Sequence, residues 1–394
     1  MTGLYIHVPF CNYKCLYCDF YSAGVRIAEW SQYIEALLNE LSQRKQELPS
    51  KPVTLYIGGG TPSLMPPDFL HHLVNSIRRI LKKNEAWREF TLEANPEDVS
   101  EENCKIWKSI GVNRLSIGIQ SLSDVELKTI GRRHSSKKAI EAINIARKYF
   151  NNISADVIFG LPGQIPESYE KTLRQLINLS VDHLSAYSLM LEEGTVMTFL
   201  HKKGNLVLPQ EEEWMRMFEM TVTILKNAGF SHYEISNYAK PGKKSIHNSS
   251  YWKGIPYLGI GPGAHSYDGK MTRRANPTDL KGYLAHYLAH KNNGANNFES
   301  GLIKNIANFY EEENLTDEEL REEMIMTRLR MQEGLDLSEF EQRFGFSYKE
   351  DLLKTAVSFI NRQELQLQVN SSRLHLSITE KGLPLSDFII SSLI

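Results

Sequence analysis

The chain has 394 residues, 41% of them apolar and 23% charged, the balance of a globular protein with one large domain and a smaller one. Its 45 basic and 47 acidic residues leave a formal charge of −2, so composition gives no case for nucleic acid or an anionic membrane as partner. No apolar run approaches the roughly 20 residues that span a bilayer. The start, MTGLYIHVPFC, lacks a signal-peptide profile. Four cysteines, three of them within eight residues, are no disulfide framework. The expectation is a reduced, cytoplasmic protein without an integral membrane segment.

The first 190 residues alternate short β-branched runs with longer amphipathic ones. Strands are predicted at 4–8, 53–57, 90–94, 114–119, 154–159 and 183–188, and helices at 30–48, 69–83, 101–109, 137–150 and 167–179. Ser100 ahead of Glu101 and Glu102 is a helix N-cap signal. Strand and helix at this spacing predict repeated βα units on a parallel sheet, with periodicity unable to choose between an open sheet and a partial barrel. Either way, ligands gather at the carboxyl ends of the strands. The three clustered cysteines follow the first strand, and Gly58-Gly59-Gly60 follows the second. Glu93 lies near the end of the third, Gln120 follows the fourth, and Asp156 lies in the fifth.

Residues 190–300 read as less regular. From about Phe309 the composition turns to an acidic stretch, EEENLTDEELREEMIMTRLRM, predicted helical. Helices at 337–344 and 349–361 follow, then two alternating runs, 365–369 and 374–378, around a four-residue loop, Asn370 to Arg373. This predicts a mainly helical, winged-helix-like domain over 301–394, after a first unit over 1–300. The segment lacks a basic recognition stripe, which argues against DNA.

Cys11-x3-Cys15-x2-Cys18 is the strongest chemical signal. Three thiolates on one loop can hold three irons of a [4Fe-4S] cubane and leave the fourth iron open. Spacing alone also admits zinc, with His7 or a more distant histidine as a fourth ligand. Cys104, alone in a helical stretch, reads as a half-buried structural thiol.

The loop PFCNYKCLYCDF resembles the signature of the radical S-adenosylmethionine (radical SAM) superfamily, whose fold is a partial (β/α)6 barrel. The resemblance implies that the open iron is chelated by the amino and carboxylate groups of S-adenosylmethionine. It also implies that the reduced cluster cleaves the sulfonium to a 5′-deoxyadenosyl radical. Gly59, Gly60 and Thr61 match the family's glycine motif at the methionine amino group, and Tyr17 its adenine-packing aromatic. Tyr5, Glu93, Gln120, Arg132 and Asp156 fall where the coproporphyrinogen-oxidase-like branch contacts that ligand, with Arg132 suited to its carboxylate.

YIHVPFC, YIGGGTPS, SIGIQSL, DVIFGLPGQ, HNSSYW and GIGPGAHS all fit this branch. It holds oxygen-independent coproporphyrinogen III oxidases, which are radical decarboxylases, and a haem-chaperone group. The oxidase pattern continues to a fourth cysteine where this chain has Phe20, and only ten residues precede Cys11. Both departures favour the chaperone group. His247, in the His-Asn-x-x-Tyr-Trp motif, is its candidate haem-binding residue, with Tyr251 and Trp252 available to a porphyrin face, and His265 lies near further ligand contacts. The resemblance therefore implies haem binding and delivery to apo-haemoproteins such as respiratory enzymes, with a homodimer as one arrangement. The oxidase-type decarboxylase is the alternative.

Overall fold

The computed structural model describes residues 1–24, 27–289 and 308–394. The expected domain boundary at 300/301 lies outside these residues. In chain order the first strands are β1 (Gly3–Val8), β2 (Phe10–Cys11), β3 (Ala23–Gly24), β4 (Thr54–Gly59), β5 (Glu89–Ala94), β6 (Arg114–Gln120), β7 (Ile153–Phe159) and β8 (His183–Ser188). They are followed by β9 (Ser231–Glu234), β10 (Asn237–Ala239), β11 (Tyr257–Ile260), β12 (His265–Tyr267), β13 (Thr272–Ala275) and β14 (Glu311–Asn314).

Among the described residues one sheet joins 12 of these in the order β14-β13-β12-β11-β1-β4-β5-β6-β7-β8-β10-β9, and β2 pairs separately with β3. From β11 through β8 every pairing is parallel. The flanking pairs are antiparallel. The six strands expected from the sequence form six of the seven strands of the parallel body, each displaced by two residues at most, and the unpredicted β11 is the seventh. Intervening helices sit where expected: Pro67–Ile80, Glu101–Ser109, Ser136–Arg147 and Pro166–Asn178. Ser100 caps the second of these by accepting a hydrogen bond from the Asn103 amide.

Alternation along the strands divides labour between the two faces. Leu4, Ile6, Val8, Leu55, Ile57, Phe90, Leu92, Leu115 and Ile117 are buried against the helices in one core. Each such side chain stabilises the fold by roughly 1.5–3 kcal/mol. The opposite face carries Tyr5, His7, Tyr56, Glu93, Ser116 and Asp156, whose mutual contacts show that it is the concave interior. Cys104 is fully buried in the outer core, deeper than half-buried.

Two stretches differ from expectation. Residues 191–289 are more regular than expected, with helices Val196–Lys202 and Glu211–Asn227 and strands that extend the sheet on both sides. The acidic run is not helical throughout. Glu311–Asn314 is strand β14, paired with β13 in the register Arg274↔Glu312 and Arg273↔Glu313, and the helix begins only at Asp317. Arg274 Nε lies 2.8 Å from Glu312 Oε2, so a basic neighbour neutralises a sequence that alone would favour helix.

The C-terminal module has its own core around Leu329, Phe340, Leu376 and Ile389. Its helices Asp317–Leu329, Leu337–Phe344, Phe346–Asn361 and Ser386–Leu393 pack with a small sheet. That sheet consists of β15 (Leu335–Asp336), β16 (Leu365–Asn370) and β17 (Arg373–Ile378), in the order β15-β17-β16. The wing hairpin is tighter than expected: Asn370 pairs with Arg373, leaving a two-residue loop. Ser371 and Ser372 both have positive φ, 50° and 67°, the signature of a type I′ turn.

Candidate functional site

The cysteine loop leaves β1 and is pinned at both ends. β2 pairs with β3, the Ala23 amide donates to Pro9 O, and the Leu16 amide donates to Ile130 O. The glycine turn after β4 presses against it from below, with the Gly60 and Thr61 amides donating to Val8 O and Phe10 O at 2.7 and 2.8 Å. A Cβ on Gly60 would stand 2.7 Å from Phe10 O and 3.0 Å from Cys11 Sγ, so only glycine permits this approach.

Cys11, Cys15 and Cys18 are half-buried and unpaired. Burial pushes the Cys11 thiol up, partly offset by Thr61, whose Oγ1 lies 3.2 Å from its sulfur. Burial likewise pushes Cys18 up to about 11, partly offset by the backbone N–H of Phe20. Thiols of this kind must lose protons to bind a metal, and three on one loop suit an iron–sulfur cluster's donor set. Among the described residues no three His, Cys, Asp or Glu side chains converge as a single ion would require. His7 is not free to be a fourth ligand as the zinc alternative asked. Its Nδ1 lies 3.0 Å from the Tyr5 hydroxyl and its Nε2 lies 3.2 Å from Tyr21 O.

Beside Cys15 opens a cavity of about 290 Å³, lined in part by Thr61, Asn95, Asp98 and Arg132. Arg132 Nη1 lies 3.6 Å from Cys15 Sγ, and its Nη2 donates to Asn95 Oδ1 and Gly118 O at 2.8 and 2.7 Å. Its Nε is buried without a partner, a donor held in reserve for an incoming acceptor. Gln120 ends β6 with φ of 63° at a register shift against β7. A non-glycine residue held there stores strain, as residues at ligand-binding rims often do.

Further into the mouth, Glu93 accepts from the Tyr56 hydroxyl at 2.6 Å and the Gly59 amide at 3.1 Å. Burial, reinforced by nearby Asp156, pushes its carboxyl up to about 7. Asp156 is also raised by burial, although the Ser116 and Ser154 hydroxyls bond to it. Tyr17 leans on a small apolar cluster with Ile158 and Leu161. Thus the cysteines, Tyr17, Gly59, Gly60, Thr61, Glu93, Gln120 and Arg132 lie toward the carboxyl ends of the strands, with Tyr5 and Asp156 deeper, in the middle of β1 and β7. Asn95, directly after β5, also belongs to this group and was missed; its rim position was the only signal.

His247 lies deeper in the same interior, its ring 5.1 Å from that of Tyr56 and 6.5 Å from that of Tyr5. It is 1% exposed under the amino ends of the strands, where a Cβ on Gly3 would touch its ring. Its Nδ1 is 2.8 Å from Thr54 Oγ1 and its Nε2 is 2.8 Å from the Tyr251 hydroxyl. Glu89 caps its helix, Ile246–Trp252, through the amides of Ile246 and His247. Burial and the charge of Arg114 depress His247 to about 3. Trp252 is covered by Arg330 of the C-terminal module, 5.2 Å from its ring, and its carbonyl accepts from Arg328. Of the expected haem face, His247 is buried, whereas Tyr251 and Trp252 are half-buried. His265 is exposed at the start of β12, on the rim close to His7.

Comparison with known proteins follows this geometry. Residues 5–176 match the radical SAM superfamily, and residues 315–385 match the HemN C-terminal domain. The heme chaperone HemW of Bacillus subtilis is 37% identical over 351 residues, covering 88% of each chain. That of Lactococcus lactis is 34% identical over 98% of this chain and 95% of its own. The chain belongs to the HemW family of radical SAM proteins. The HemW-family fold also appears in the coproporphyrinogen III oxidase HemN of Escherichia coli, described as a radical SAM enzyme. That structure superimposes with a TM-score of 0.78 at 22% identity, over all of this chain and 89% of that one. A [4Fe-4S] cluster and S-adenosylmethionine follow from the superfamily. Among the described residues no helix is long and apolar enough to cross a membrane.

Proposed function

We propose that this protein is a haem chaperone that binds haem and delivers it to apo-haemoproteins such as respiratory enzymes in the cytoplasm. The observation that carries this reading is similarity to HemW proteins, 34–37% identical over 88–98% of this chain, together with Phe20, 61% exposed where the oxidase pattern has its fourth cysteine. In this reading Cys11, Cys15 and Cys18 hold the cluster. Tyr5, Tyr17, Gly59, Gly60, Thr61, Glu93, Gln120, Arg132 and Asp156 hold S-adenosylmethionine. When bound, the cluster supplies single electrons at the mouth. The protein's own groups orient the ligand: Arg132 Nε toward a carboxylate, Glu93 toward an ammonium group, and Tyr17 toward a flat ring.

Exposure favours His265 over His247 as a haem ligand, because His247 is buried and either ring nitrogen would have to give up a hydrogen bond, to Thr54 or to Tyr251, before binding iron. The test reconstitutes the cluster anaerobically, titrates haem by its Soret band, and follows transfer to an apo-haemoprotein. Saturable binding and transfer, weakened in His265→Ala, are expected. Decarboxylation of coproporphyrinogen with no haem transfer would overturn the reading in favour of the oxidase.

A further inference from the structure

Two of the three cluster cysteines are met by side-chain donors, and one residue joins those donors. Thr61 Oγ1 lies 3.2 Å from Cys11 Sγ, and Arg132 Nη1 lies 3.6 Å from Cys15 Sγ. Asn95 stands between them. Its Oδ1 accepts from Arg132 Nη2 at 2.8 Å, and its Nδ2 donates to Thr61 Oγ1 at 3.4 Å. Once the Asn95 amide occupies a lone pair of the Thr61 oxygen, the hydroxyl proton is left to point at sulfur. A metal-bound thiolate is an acceptor only, so at Cys11 the hydroxyl must donate. Asn95 itself is held by its own amide, which donates to Ser63 Oγ at 3.2 Å, and Ser63 in turn donates to Asp98 at 2.6 Å. The strap is therefore built from Thr61 and Asn95, just after β4 and β5, and from Arg132, which follows the short helix Asp124–Thr129 and is tied to β6 through Gly118 O.

We propose that Asn95 is a positioning residue that aims Thr61 at Cys11 and Arg132 at Cys15, and so raises the reduction potential of the cluster these cysteines hold. Hydrogen bonds to cluster thiolates withdraw negative charge from the iron–sulfur core and favour the reduced state. Cys18 receives a backbone N–H, from Phe20, so side-chain substitution can strip donors from two cysteines and leave the third as it was. This inference rests on the cluster reading above and is independent of haem delivery.

The test compares wild type, Thr61→Val, Thr61→Ser, Asn95→Ala and the Thr61→Val/Asn95→Ala double variant, each reconstituted anaerobically without S-adenosylmethionine or haem. Iron and acid-labile sulfide are counted per chain, and the one-electron midpoint is read by EPR during dithionite titration. Thr61→Val and Asn95→Ala are expected to carry as much cluster as wild type with the midpoint moved to more negative potential. Thr61→Ser, which keeps the hydroxyl, is expected to return to the wild-type midpoint. The double variant is expected to move by less than the sum of the single shifts, because Asn95 acts partly through Thr61. An unchanged midpoint in the loaded fraction of both single variants overturns the proposal, even if loading falls. A wild-type chain that takes up no iron and sulfide overturns both this inference and the cluster reading.

Discussion

The imidazole of His247 and the hydroxyl of Thr54 meet at 2.8 Å beneath the barrel, one from the floor helix and the other from the start of β4. Removing that ring deletes two buried hydrogen bonds and opens a cavity. His247→Ala is therefore expected to lower stability by about 2–4 kcal/mol. Chemical denaturation checks this, and haem affinity measured well below the unfolding transition should be little changed. Wild-type stability in the variant would sink the floor assignment.

The same histidine makes stability depend on acid. Its ordinary value is 6.5 and the folded value is about 3, so the unfolded chain binds the extra proton across that window. Stability contributed by the neutral ring is present above pH 6.5 and is lost as pH falls toward 3. Midpoints in urea should decline across this range more steeply for wild type than for His247→Gln.

Glu93 has the opposite sign. Its carboxyl rises from 4.5 to about 7, so its contribution to stability is present below pH 4.5 and lost as pH rises through 7. If the carboxylate receives the ammonium group of S-adenosylmethionine, affinity for that ligand should strengthen as pH climbs through 7. The dependence should flatten in Glu93→Gln. Calorimetric titration of cluster-loaded protein at several pH values measures it, and parallel profiles for the two proteins would refute the assignment.

Gly60 offers a steric test. A methyl group there cannot coexist with Phe10 O and Cys11 Sγ in their present positions. Gly60→Ala is expected to cost about 1–3 kcal/mol and to abolish most cluster uptake while helix content by circular dichroism stays near wild type. Full iron and sulfide content in the variant would contradict it.

The wing hairpin invites the reverse outcome. Ser371 and Ser372 hold positive φ that Asn and Gly adopt with less strain. Ser371→Asn with Ser372→Gly should therefore raise stability by about 0.5–1 kcal/mol, read from the melting of the C-terminal module.

Six of the seven parallel strands were legible because their apolar and polar faces follow period two and the helices between them period 3.6, signals that need no tertiary knowledge. The cluster loop was legible because three cysteines at fixed spacing carry chemistry in the sequence itself. Strand β14 was not, since Glu-Glu-Glu-Asn favours strand only beside Arg273 and Arg274, some forty residues earlier. His247 fits its motif but not the expected surface, because a motif does not say which end of a barrel it reaches. Asn95 looked like an ordinary residue before proline until its two neighbours were brought together in space.

Strand β14 also bears on how the chain can be divided. It reaches back from just ahead of the C-terminal helices to complete the sheet edge at β13. A fragment stopping before Glu311 would bare the arginine-rich backbone of β13, an unprotected template for pairing with other chains. Severing the polypeptide after Leu315 keeps that edge covered, and it is where fragments of this protein should be made.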